Sequence, residues 1–116
     1  MGQAGVNPEL FAKLIRGCWS PESATTYSAD NPAKGQCSVT ALLAQEKLGG
    51  ELLKTSVGEA WHFYNRVEGE RVDFTSGQFG GPIRYDDEPA SREEAIRDTS
   101  PEQLSALRRA LAERNA

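Results

Sequence analysis

The chain has 116 residues, which is the length of one domain and enough to bury a hydrophobic core without metal ions or disulfide bonds. A net charge of −4 with no basic stripe argues against a nucleic-acid binder. No apolar run is long enough to span a bilayer, and the first residues do not resemble a signal peptide. We therefore expect a single cytoplasmic domain over residues 1–116 that binds neither nucleic acid nor membrane.

The first half of the chain predicts two helices joined by a long polar loop. Asn7 is a favourable N-cap and Pro8 suits the first helical position, so the first helix is expected to begin there. Residues 20–34 are rich in Ser, Thr, Asp, Asn and Pro and predict a loop. Residues 35–37 open a second, apolar helix, which the glycine pair at 49–50 ends because glycine tolerates a left-handed cap.

A three-stranded meander is predicted next. The strands cover residues 51–56, 61–67 and 71–75, and the second and third are joined by the two-residue turn Glu68-Gly69. Residues 76–89 contain several glycines and prolines and predict a loop.

Two capped helices are predicted at the C-terminal end. Ser91 with Glu94 reads as a capping box, and Ser100 with Gln103 reads as a second one. The last helix carries an apolar stripe made of Leu104, Leu107 and Leu111. Helices and strands in this order predict the α+β class.

The two cysteines of the chain have different expected roles. Cys37 lies at the start of an apolar helix, where the positive end of the helix dipole favours the thiolate, the form that acts as a nucleophile. The alternative is that Cys37 is a small core residue, because free cysteine is among the most buried residue types. Cys18 lies near the end of the first helix without that advantage, and we expect it to pack in the core.

The predicted hairpin brings the only histidine close to an aspartate. With Glu68-Gly69 as the turn, Tyr64 faces Asp73 and His62 faces Thr75. Residues two apart share a face of a strand, so these four side chains lie together and His62 can reach Asp73. The alternatives are a structural histidine and an aspartate on a solvated sheet face.

The residue types predict a nucleophilic mechanism. Cys37 attacks a carbonyl carbon, His62 handles the thiol proton and later delivers it to the leaving group, and Asp73 orients the imidazole. The backbone N–H of Cys37 would stabilise the oxyanion, and Gln36 either adds a side-chain donor, caps the helix or packs beside it. Tyr64 and Thr75 are candidates for lining the cleft. Neither a metal ion nor a cofactor is required.

Several sequence blocks resemble the small bacterial YunG-like proteins, and the match runs from about residue 19 to residue 79. The blocks are Asn31 to Leu42, Gly49-Gly50-Glu51-Leu52, Trp61 to Arg66, Val72 to Thr75, and Gln78-Phe79. The order of Cys, His and Asp also resembles the transglutaminase-like branch of the papain-like superfamily and the arylamine N-acetyltransferases. The resemblance implies a papain-like fold, with the cysteine helix packed on an antiparallel sheet, and Cys37, His62 and Asp73 as a catalytic triad.

The resemblance supplies no substrate. The chain is much shorter than transglutaminases or papain-type peptidases, which favours a small amide, a peptide tail or an acyl group as the substrate. Trp61 and Phe63 lie on the strand face opposite His62 and are expected in the core. Two other interpretations stay open, namely a non-catalytic module that binds a ligand or protein, and a zinc site formed by Cys37, His62 and Asp73. No pattern indicates an oligomeric state.

Overall fold

The computed structural model describes residues 7–115 as an α+β domain with one antiparallel sheet. Its elements are α1 (Pro8–Ile15), α2 (Cys37–Leu48), β1 (Glu51–Val57), β2 (Ala60–Val67), β3 (Glu70–Val72), a 3₁₀ turn (Ser76–Gln78), β4 (Glu88–Ala90), α3 (Arg92–Arg97) and α4 (Pro101–Arg114). The strands lie in the order β3-β2-β1-β4. Among the described residues, no helix combines the length and the apolar character needed to cross a membrane.

The helix starts follow the predicted capping residues. Ser91 accepts a hydrogen bond from the backbone N–H of Glu94, whose carboxylate accepts from the N–H of Ser91, so the first capping box is confirmed. Ser100 caps α4 by accepting from the N–H of Gln103 at 3.1 Å. The Gln103 side chain accepts from the Thr99 hydroxyl instead of returning a bond to Ser100, so the second box is half formed.

The core lies between α2 and one face of the sheet, with the other helices packed around it. Asn65 of β2 is fully buried and donates to the backbone carbonyl of Ala41 at 3.0 Å, which fixes α2 across this strand. Cys18 is buried among the core residues as a free thiol, as predicted. Asn7 caps α1 and Gly49 ends α2, also as predicted.

The hairpin between β2 and β3 has the predicted turn and register. Val67 pairs with Glu70 and Asn65 pairs with Val72. However, β3 ends at Val72 and does not reach Thr75, so the predicted strand 71–75 is too long. The carboxylate of Asp73 accepts from the backbone N–H of Thr75 at 3.1 Å, and such a local bond competes with the pairing that would continue a strand.

Two further predictions about the sheet are wrong. A fourth strand, Glu88–Ala90, lies at the end of the predicted loop 76–89 and pairs with β1. It is short and contains Pro89, which is tolerated because the strand lies at an edge, so no alternating pattern marks it. Trp61 is 44% exposed instead of buried, with the Lys54 ammonium 4.5 Å from its ring centre, whereas Phe63 is buried as expected.

Candidate active site

Cys37 is the first residue of α2 and is half-buried. The chain enters the helix through Gly35, whose φ of +78° lies in the left-handed region that favours glycine. A Cβ at Gly35 would also collide with the hydroxyl of Thr26. The local sequence therefore fixes the sulfur of Cys37 at the positive end of the helix dipole, where a thiolate is stabilised.

His62 lies on β2 with its side chain only 3% exposed. Its Nε2 atom is 2.7 Å from Oδ2 of Asp73, which leaves Nδ1 as the ring nitrogen available to Cys37. Burial lowers the pKa of His62, but hydrogen bonds and charge from Asp73 and Cys37 outweigh burial and raise this pKa to about 9. The raised pKa favours the protonated form of the ring.

Asp73 is held by several donors at once. Oδ1 accepts from the Thr75 backbone N–H at 3.1 Å and from its hydroxyl at 3.3 Å. Oδ2 accepts from His62 Nε2 and from the Tyr85 hydroxyl, both at 2.7 Å. Burial raises the pKa of Asp73, but the bonds from His62, Tyr85 and Thr75 outweigh it and hold the pKa below its ordinary value. Asp73 is therefore ionised and fixed in orientation.

The His62 ring is enclosed by aromatic side chains. Tyr64 stacks against it with ring centres 5.8 Å apart, and the edge-on ring of Phe79 lies 4.9 Å away. Tyr64 and Thr75, the two candidates for cleft lining, are both buried beside His62 and Asp73. Tyr85 was not predicted from the sequence as a residue of the site. It lies in a stretch without periodicity, and only the fold brings it to Asp73.

Gln36 lies directly before Cys37 and is fully buried. Its Oε1 accepts from the Ser23 hydroxyl at 2.8 Å, while its Nε2 has no hydrogen-bond partner among residues 7–115. An unpaired buried donor costs about 1–3 kcal/mol, so such groups are rare in native proteins. The side chain does not cap α2.

A cavity of about 640 Å³ adjoins the site on the side of Asp73. It is lined by residues from α1, from the loop before α2 and from the segment after β3, including Arg16, Trp19, Asn31 and Phe74. Its lining includes Asp73 but neither Cys37 nor His62. The volume lies within the range of small-ligand pockets, although the space does not open directly over the sulfur.

The side-chain arrangement does not support the zinc interpretation. Within residues 7–115, no group of three His, Cys, Asp or Glu side chains is arranged to hold a metal ion. Instead, Cys37 and Asp73 both contact the His62 ring, and Asp73 does so by accepting from the Nε2 atom of His62.

The described residues thus form an α+β domain in which a half-exposed thiol, a buried imidazole and a buried carboxylate lie in one network. The family described as YunG protein matches residues 7–116, and the chain belongs to this family. A protein of Bacillus subtilis (strain 168), described as uncharacterized protein YunG, is 46% identical over 99 residues, which cover 85% of this chain and 86% of the relative. No solved structure matches the chain. The resemblance to YunG-like proteins is therefore confirmed, and it transfers no activity.

Proposed function

We propose that this protein is a thiol hydrolase or acyl transferase that acts on an amide or acyl bond through Cys37, His62 and Asp73. The observation that carries the proposal is the buried imidazole between a thiol at a helix start and a carboxylate held by three other hydrogen bonds. This order of groups resembles that of papain-like and transglutaminase-like enzymes, and we extend the proposal to a fold of that kind.

The first half-reaction forms a thioester on Cys37. In this mechanism the His62 ring carries the proton that Cys37 loses, and the raised pKa of His62 favours that form. The thiolate attacks the substrate carbonyl carbon and gives a tetrahedral intermediate with an oxyanion. When the intermediate collapses, the bond to the leaving group breaks and the imidazolium donates its proton to that group.

The second half-reaction regenerates the enzyme. Neutral His62 takes a proton from the acyl acceptor, which attacks the thioester and releases the Cys37 sulfur as a thiolate. Water as acceptor gives hydrolysis, and an amine or a thiol gives transfer. Asp73 keeps Nε2 of the ring occupied, so that Nδ1 stays directed to the reacting atoms throughout both steps.

Gln36 is the side-chain donor for the oxyanion in this proposal. The unpaired Nε2 and the Cys37 backbone N–H at the helix start would both donate to the negative oxygen. In the free protein Nε2 is closed to solvent, so substrate binding must open a path to it. Oε1 of the same amide lies 2.8 Å from the Ser23 hydroxyl.

The half-buried sulfur favours a small or flexible substrate, such as a small amide, a peptide tail or an acyl group. Few amide or acyl bonds in a folded protein are exposed enough to approach the buried imidazole of His62. The cavity beside Asp73 does not open over the sulfur, so in this proposal it takes a part of the substrate away from the scissile bond.

The rate of alkylation by iodoacetamide tests the proposal, because Cys18 is a buried control thiol in the same molecule. Mass spectrometry of digested samples gives separate rates for the two thiols near neutral pH. We expect Cys37 to react faster than free cysteine and much faster than Cys18, and His62→Ala to slow Cys37. Equal rates for both thiols in the folded protein would contradict the proposal and favour a non-catalytic binding module.

A further inference from the structure

Two hydrogen-bond donors converge on a single oxygen of the candidate site. Oδ2 of Asp73 accepts from His62 Nε2 and from the Tyr85 hydroxyl, and each distance is 2.7 Å. The mechanism above uses the first bond and leaves the second without a role. We propose that Tyr85 is a positioning residue that limits how strongly Asp73 binds the Nε2–H of His62, because it shares the oxygen that faces the ring.

The fold fixes Tyr85 independently of Asp73. Thr55 is fully buried on β1 and is the register partner of His62. Its hydroxyl donates to the carbonyl of Arg84 and accepts from the N–H of Asp86, both at 3.0 Å, so it holds the residue on each side of Tyr85. The backbone on both sides of Tyr85 is therefore fixed, and this places the Tyr85 hydroxyl at Asp73.

Two ring contacts hold the Tyr85 side chain itself. Its ring lies edge-on to Tyr64 with centres 4.9 Å apart, and the guanidinium of Arg71 lies 4.7 Å from its centre. Burial and the bond to Asp73 raise the pKa of Tyr85, so its hydroxyl stays protonated and acts as a donor. Both ring contacts persist in a phenylalanine, which makes Tyr85→Phe a selective removal of one O–H group.

Donors that share one acceptor oxygen weaken each other, because each withdraws electron density from the oxygen. This is the reverse of the mutual strengthening along a chain of hydrogen bonds. The effect matters because the imidazolium must release its proton to the leaving group, and proton transfer is most efficient when the pKa lies near the working pH. A carboxylate that bonded only His62 would bind the Nε2–H more strongly and make the ring more basic, so Nδ1 would release its proton to the leaving group less readily.

The titratable and charged groups around the ring and its partners come from several parts of the fold. They are Cys37 of α2, Tyr64 of β2, Asp73 after β3 and Tyr85 before β4, with Arg71 and Asp87 beyond the two tyrosines and Asp86 bonded to Thr55 of β1. Of these, Tyr85 contributes a donor to the Oδ2 atom that also binds the ring.

The test is an NMR titration of the imidazole, which has a single signal set because His62 is the only histidine. Neighbouring hydrogen bonds change each other's strength by about 10–30%. Applied to the charged bond between His62 and Asp73, this change leads us to expect that Tyr85→Phe raises the pKa of His62 by about 0.3 pH unit. Tyr64→Phe is the matched control, because that hydroxyl bonds Asp87 and not Asp73. It is expected to leave the titration unchanged.

A fall in the pKa of His62, or no change, in Tyr85→Phe would overturn the proposal. A fall is the result of a purely structural role, in which Asp73 moves away from the ring. Dispersed amide signals verify that each variant is folded. Thr55→Val gives a second test, because it loosens the segment around Tyr85 and is again expected to raise the pKa of His62. The inference rests on the proposed function for its consequence, but the titration needs no activity. Unreactive Cys37 would therefore refute the enzyme without affecting this result.

Discussion

The bond between His62 and Asp73 allows a quantitative prediction for Asp73→Asn. The pKa of His62 is raised from 6.5 to about 9 although burial alone would lower it, and among the groups that raise it Asp73 has the largest effect. Asparagine keeps the shape and the acceptor for Thr75 but removes the charge. We expect the pKa of His62 to fall by about 2 units or more, equivalent to about 3 kcal/mol of lost preference for the imidazolium.

The assay is the NMR titration of the single imidazole between about pH 5 and 10. Asp87→Asn is the control, because Asp87 is a carboxylate near the same ring that bonds Tyr64 and Arg71 instead of His62. Bonds from Arg71 in particular lower the pKa of Asp87 to about 2, so the control also removes a full charge. A wild-type pKa near 6.5, or an equal fall in both variants, would refute the assignment of the bond.

Three further predictions concern stability and catalysis. The raised pKa of His62 contributes stability that is complete below about pH 6.5 and is lost as the pH rises through about 9. In urea unfolding, the stability of wild type relative to His62→Gln is therefore expected to fall by up to about 3 kcal/mol between about pH 6 and 10. A difference that stays constant with pH would contradict this. Gln36→Leu is expected to slow acylation of Cys37 by about 10²-fold or more while changing the free energy of unfolding by less than about 1 kcal/mol, because it removes an unpaired donor. Leu107→Ala, at a fully buried core position, is expected to cost about 2–5 kcal/mol of unfolding free energy without changing the relative reactivity of Cys37 and Cys18 once the protein is folded.

Features of the fold that depend on local chemistry were predictable from the sequence. Asn7, Ser91 and Ser100 cap their helices because a short polar side chain there satisfies free backbone N–H groups. The turn Glu68-Gly69 fixed the register of the hairpin, since Gly69 supplies a positive φ. Glu68 adopts a positive φ as well.

Features that depend on distant contacts were not predictable. The end of β3 at Val72 follows from the bonds that Asp73 makes to Thr75, and propensity does not report such bonds. Tyr85 reaches Asp73 because Thr55, 30 positions earlier, holds its neighbours, and a stretch rich in glycine and proline gives no periodic signal for that.

The candidate site shows the same division. The sequence brought His62 and Asp73 together through the hairpin register, although the strand that was to carry Asp73 ends one residue before it. The position of Cys37 beside the ring depends on how α2 crosses β2, which the buried bond from Asn65 to Ala41 fixes. The pattern of side chains on the strand faces does not predict where α2 crosses the sheet.

Transfer of an acyl group from a small activated ester to the protein tests the nucleophile most directly. The wild-type protein is incubated with p-nitrophenyl acetate beside Cys37→Ser and Cys18→Ser, and peptide mass spectrometry locates any acetyl group. We predict an acetyl thioester on Cys37 in wild type and in Cys18→Ser, absent from Cys37→Ser and released by hydroxylamine. Acetylation confined to Cys18 or to lysines, with an unmodified sulfur at the start of α2, would contradict the account.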